Sequence, residues 1–135
     1  MDTDAIETLI RGTGRMPTIL LFSPDMDFCM SLRLLLQNRY HVITTTDAKM
    51  LLLSVQTFQP DLVIVDSVPS DVMRRRFEVM KHDKPEIRII VFSVSHPAVA
   101  SKESQRGIDA LIAKPIEIGE LTSNIEHLIG RPKAA

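Results

Sequence analysis

The chain has 135 residues, 44% hydrophobic and 24% charged, with a formal net charge of −1. That suits one soluble domain with its own core, and it leaves no global field aimed at nucleic acid or an acidic membrane surface. The apolar runs are far too short to cross a bilayer, the start Met1-Asp2-Thr3-Asp4 is no secretory leader, and the single cysteine, Cys29, excludes an internal disulfide and fits a reducing cytoplasm.

Residues 1–16 read as an N-terminal extension, with Ala5 to Ile10 as a short helix and Arg11-Gly12-Thr13-Gly14-Arg15 as a link. Thr18-Ile19-Leu20-Leu21-Phe22 is a continuous apolar run and predicts a buried strand. Ser23-Pro24-Asp25 follows it. From Asp27, the residues Phe28, Leu32, Leu35 and Leu36 recur at helical spacing. Cys29 lies among them and reads as a buried, inert thiol. Val42 to Thr46 is β-branched and less apolar, which suits an outer strand. Met50, Leu51, Leu53 and Val55 suit a helix that Pro60 prevents from continuing. Leu62-Val63-Ile64-Val65 predicts a strand buried on both faces, closing at Asp66. Val72, Met73, Phe77 and Met80 mark a third helix, and Arg88 to Phe92 a fourth strand. Pro97 opens a fourth, weaker helix that Gly107 ends. Asp109 to Ala113 predicts a fifth strand. Ile118, Leu121, Ile125, Leu128 and Ile129 form the clearest amphipathic stripe, the fifth helix.

Five strands alternating with five helices imply parallel strands joined by right-handed crossovers. The expected architecture is a three-layer, doubly wound α/β domain over residues 17–130, with 131–135 as a tail. In such sheets ligands gather outside the carboxyl ends of the strands. Those ends carry Ser23-Pro24-Asp25, Asp66, Ser93 and Lys114-Pro115. A carboxylate can attack a phosphoryl group, a lysine can pair with the added charge, and a hydroxyl can donate to a phosphate oxygen. Four scattered histidines and one cysteine offer no zinc spacing.

At these residues the chain resembles the response-regulator receiver family, over residue 17 to about 130. The carriers are the strand ending in Asp66, Phe92-Ser93, and Gly107-Ile108-Asp109-Ala110-Leu111-Ile112-Ala113-Lys114-Pro115. The resemblance implies a flavodoxin-like, five-stranded parallel sheet in the order 2-1-3-4-5. It implies that Asp66 is the phosphoacceptor, Ser93 the switching hydroxyl and Lys114 the phosphate-pairing lysine, with a cis Lys114-Pro115 bond. A histidine kinase or phosphotransfer protein would supply the phosphate. A downstream protein would dock on the face of the fourth helix, fifth strand and fifth helix, and the chain could also pair as a homodimer. No enzymatic activity of its own is expected. With no output domain after residue 135, direct nucleic-acid binding is not expected, nor is a membrane role.

The chain also departs from that family. The adjacent acids that hold Mg2+ align with Ser23 and Pro24, so Mg2+ would be held weakly or not at all. Asp25 and Asp66 are the candidate metal carboxylates. The competing reading of Ser23-Pro24-Asp25 is a helix cap: Ser23 at the cap, Pro24 at the first helical position, Asp25 and Asp27 in the first turn. Pro69 follows Asp66 by three residues where the family has four. Leu111 stands at the switch-aromatic position, and Val94 where a small residue is usual. Arg74-Arg75-Arg76 reads as a solvated helix face or a dock for an acidic partner. Asp66 itself reads as phosphoacceptor or as a structural acid paired with Lys114. The function that follows is an atypical phosphorelay receiver, or a phosphorylation-independent receiver fold serving as a protein-binding module. An unrelated flavin carrier lacks support: no Gly-rich loop follows the first strand, and there is no Trp and one Tyr.

Overall fold

Runs of Ile, Leu and Val form five strands: β1 (Thr18–Phe22), β2 (His41–Thr45), β3 (Leu62–Asp66), β4 (Arg88–Ser93) and β5 (Ala110–Ala113). Among the described residues four α-helices join them: α1 (Met26–Leu36), α2 (Leu51–Phe58), α3 (Asp71–Asp83) and α4 (Ile118–Ile129). This computed structural model describes residues 16–93 and 105–130. The Ala5–Ile10 helix, the glycine link, Val94, most of the helix expected after Pro97 and the 131–135 tail lie outside those residues.

All four strand pairings are parallel, and the sheet order is β2-β1-β3-β4-β5. The expected sheet is therefore present. Alternate side chains of a strand point to opposite faces. Ile19, Leu21, Leu62, Ile64, Ile90 and Phe92 pack under α1 and α4, against Cys29, Leu32, Leu121 and Ile125. Leu20, Phe22, Val63, Val65, Ile89 and Val91 pack under α2 and α3, against Val55, Met73, Phe77 and Met80. Both faces are covered, which is why the interiors of β1, β3 and β4 are apolar and their polar residues stand at the strand ends.

The helical stripes are narrower than the sequence suggests. α1 buries Cys29, Leu32 and Leu36, the i, i+3, i+7 set of one face. Leu35 falls off that face and is 60% exposed; Leu53 of α2 and Val72 of α3 are likewise exposed. The cap of α1 is also corrected. Asp25, not Ser23, is the N-cap, and its carboxylate accepts from Phe28 N at 3.2 Å. Pro24 thus precedes the helix rather than opening it. Gln59 ends α2 in a left-handed conformation, φ 49°, immediately before Pro60. No helix among the described residues is long and apolar enough to cross a membrane.

Candidate functional site at the carboxyl edge of the sheet

The strand order reverses between β1 and β3, and a crevice opens at such a switch point outside the carboxyl ends. Phe22 pairs with Val65, so one step further along both strands Ser23 lies beside Asp66. The Ser23 hydroxyl donates to Asp66 Oδ2 at 2.7 Å. The Ser23 hydroxyl oxygen in turn accepts from Asp25 N at 3.1 Å, while Ser23 N continues the β1–β2 ladder to the Thr45 carbonyl. Ser23 is fully buried.

Lys114 approaches the other side of the carboxylate. Its Nζ lies 2.6 Å from Asp66 Oδ1, and the Asp66 side chain is only 10% exposed. Lys114 follows β5, and its backbone N–H donates to the Ser93 carbonyl at 3.0 Å, which ties the ends of β4 and β5 together. The Lys114-Pro115 peptide bond is cis. The ammonium also sits 5.0 Å from the centre of the Phe28 ring. Phe28 meets Phe92 edge to face, with centroids 6.0 Å apart. Sequence reading places Phe28 in the core stripe and misses this second contact. The available signal is an aromatic in the first turn of the helix that leaves the crevice.

Asp66 and Lys114 are therefore in direct contact. Ser93 is brought to the same edge, buried, one residue past the Asp66–Phe92 pairing. Strand alternation puts it on the face of Ile89 and Val91, where Leu111 also packs. Pro24 and Asp25 are exposed, and Asp25 is committed to the cap of α1. Below the site, the Cys29 thiol donates to the Ser23 carbonyl at 3.6 Å. Burial pushes that thiol's pKa up, and the charge of Asp66 adds to the rise. Of the basic run, Arg74 pairs with Glu78 at 2.9 Å and Arg76 lies against Met73 Sδ, so the two are engaged within α3.

The Gly107-to-Pro115 signature divides in two. Lys114 serves the crevice. Asp109 lies at the opposite edge, where its carboxylate accepts from Ile89 N and pairs with Lys81, both at 2.8 Å. Asp61 does similar work there, accepting from Thr18 N at 2.8 Å.

Solved structures superpose closely on this fold. A two-component response regulator from Clostridium difficile gives a TM-score of 0.73 at 15% identity, covering 84% of this chain and 95% of that one. A response regulator from Thermotoga maritima, solved in complex with Mg2+-BeF, gives 0.71 at 22% identity, covering 84% and 99%. The signal receiver domain of a Vibrio parahaemolyticus protein described as a Luxo repressor gives 0.72 at 14%, covering 85% and 91%. The fold is that of a response-regulator receiver domain. No family model matches the sequence, and a search of curated proteins finds no match.

The receiver fold carries Mg2+ in the Mg2+-BeF complex of the Thermotoga maritima neighbour. The residues present do not fit it as they stand. Both Asp66 oxygens are engaged, by Ser23 and Lys114. Pro24 offers no side-chain oxygen, and Asp25 accepts from the α1 backbone. Among the described residues no group of three or more His, Cys, Asp or Glu could hold a metal ion.

Proposed function

We propose that this chain is a receiver module of two-component phosphorelay signalling that accepts a phosphoryl group on Asp66 and transmits by protein–protein contact. One observation carries the reading: a carboxylate on a rigid strand end held 2.6 Å from a lysine ammonium at the crevice of a receiver fold. An Asp66 oxygen attacks phosphorus, the phosphorus–nitrogen bond of a phosphohistidine donor breaks, and an acyl phosphate forms. Lys114 then pairs with the added charge. Ser93, at the end of β4, is the hydroxyl that answers it. The donor is a histidine kinase or phosphotransfer protein. The docking face includes β5 and α4, in a cytoplasmic setting. Acetyl phosphate should add one phosphate mass that Asp66→Asn lacks; no gain from it, nor from a donor kinase, would sink the reading.

The Ser23 hydrogen bond favours a second reading, in which the receiver fold is a phosphate-blind binding module. In that case Asp66→Asn leaves partner capture unchanged while the fold is kept.

A further inference from the structure

We propose that Ser23 is a latch on Asp66: its hydroxyl occupies the carboxylate edge where a divalent cation would bind, and so sets whether Asp66 can take one up. The inference rests on the reading of Asp66 as the reactive centre. Ser23 is a positioning residue that acts through Asp66.

The hydroxyl has one proton, and it is committed to Asp66 Oδ2 at 2.7 Å. Its oxygen is held from the other side by Asp25 N at 3.1 Å. The Ser23 backbone is pinned by its bond to Thr45, and the residue is wholly buried. The hydroxyl therefore has a fixed direction. A cation approaching Oδ2 competes with this bond, and one approaching Oδ1 competes with the Lys114 ammonium. The cation gains little in return, because Mg2+ prefers one or two carboxylates and the other candidate carboxylate, Asp25, serves the α1 cap. Removing the hydroxyl opens Oδ2. Placing a carboxylate at position 23 puts two acids side by side, an arrangement that a divalent cation relieves.

The test is a Mg2+ titration of the full chain as wild type, Ser23→Ala, Ser23→Asp and Asp25→Ala, read by the amide shifts of Asp66, Ser67 and Lys114. Wild type is expected to bind weakly. Ser23→Ala should bind about ten- to a hundredfold more tightly, the worth of one charge-assisted hydrogen bond, and Ser23→Asp more tightly still. Asp25→Ala should match wild type. Ser23→Ala binding no better than wild type would overturn the latch. So would a loss of affinity in Asp25→Ala, which would assign the metal contact to the cap residue. If Ser23→Asp does not fold, the Ser23→Ala comparison decides alone. Acetyl phosphate labelling of the same proteins separates the two ideas. Absence of label in every variant, with the affinity order intact, removes the phosphoacceptor and leaves the latch. Label on wild type with no affinity difference does the reverse.

Discussion

Lys114 Nζ and Asp66 Oδ1 stand 2.6 Å apart, joining the end of β5 to the end of β3 across the intervening strand. The side chains are 29% and 10% exposed. An ion pair this shielded is costly to break from one side only, because the surviving charge is left without its partner. Asp66→Asn and Lys114→Met should each lower the unfolding free energy by about 1–3 kcal/mol. The double variant should lose less than the two losses added together. Urea unfolding of the four proteins measures the coupling, and strictly additive losses would show that there is none.

Phe28 supports Lys114 through its ring face and packs its edge on Phe92. Phe28→Leu keeps most of the apolar volume and removes the π face, at an expected cost of about 0.5–1 kcal/mol. Phe28→Ala should cost about 2–3 kcal/mol, below the range for a fully buried ring because this one is half-buried. No loss in Phe28→Leu beside a clear loss in Phe28→Ala would leave the ring face without a part in holding the ammonium.

The opposite edge predicts a loss of stability without a change at Asp66. Gly107 has φ +85°, and a Cβ there would meet Phe77 Cβ at 3.3 Å. Gly107→Ala should destabilise by about 1–2 kcal/mol through left-handed backbone strain. Asp109→Ala removes the acceptor for Ile89 N and the partner of Lys81, at about 1–3 kcal/mol. Thermal melts measure both losses. A changed acetyl phosphate response in a folded variant would contradict the separation of the two edges.

Alkaline pH should weaken the fold. Burial raises the Cys29 thiol above its ordinary 9.0, and burial with the nearby Glu126 charge raises Tyr40 above its ordinary 10.0. In each case the native state favours the protonated form. The contribution is therefore complete below the ordinary value and is lost as pH climbs through the raised one. Unfolding free energy should fall from about pH 9 upward, and less steeply in Cys29→Ala. The native thiol should also resist an aromatic disulfide reagent at about pH 8 and react at once in urea. Rapid reaction of the native protein would contradict this.

The sheet was legible because burial on both faces writes itself as unbroken apolar runs, and because each central run stops at a polar residue. Asp66, Ser93 and Lys114 could be named on that ground. The partner of Ser23 could not. As a neighbour of Pro24 and Asp25 it reads as a helix cap, and local spacing prefers that role. Its hydroxyl turns to Asp66 because the Phe22–Val65 register sets the two side by side, leaving the cap to Asp25. Phe28 was hidden for a similar reason: its place in a helical stripe says that it is covered, not that a lysine from β5 covers it.

The sequence by itself determined the α/β class, the places of the strands and helices among the described residues, and the acid and lysine at the strand ends. These follow from periodicity and burial, which act over neighbouring residues. Only the tertiary structure decided which polar groups meet. That depends on strand register and on the reversal of strand order between β1 and β3, which bring Ser23 and Lys114 to opposite oxygens of one carboxylate. It also decided that Asp109, so close in sequence to Lys114, belongs to the other edge of the sheet, because β5 runs between them.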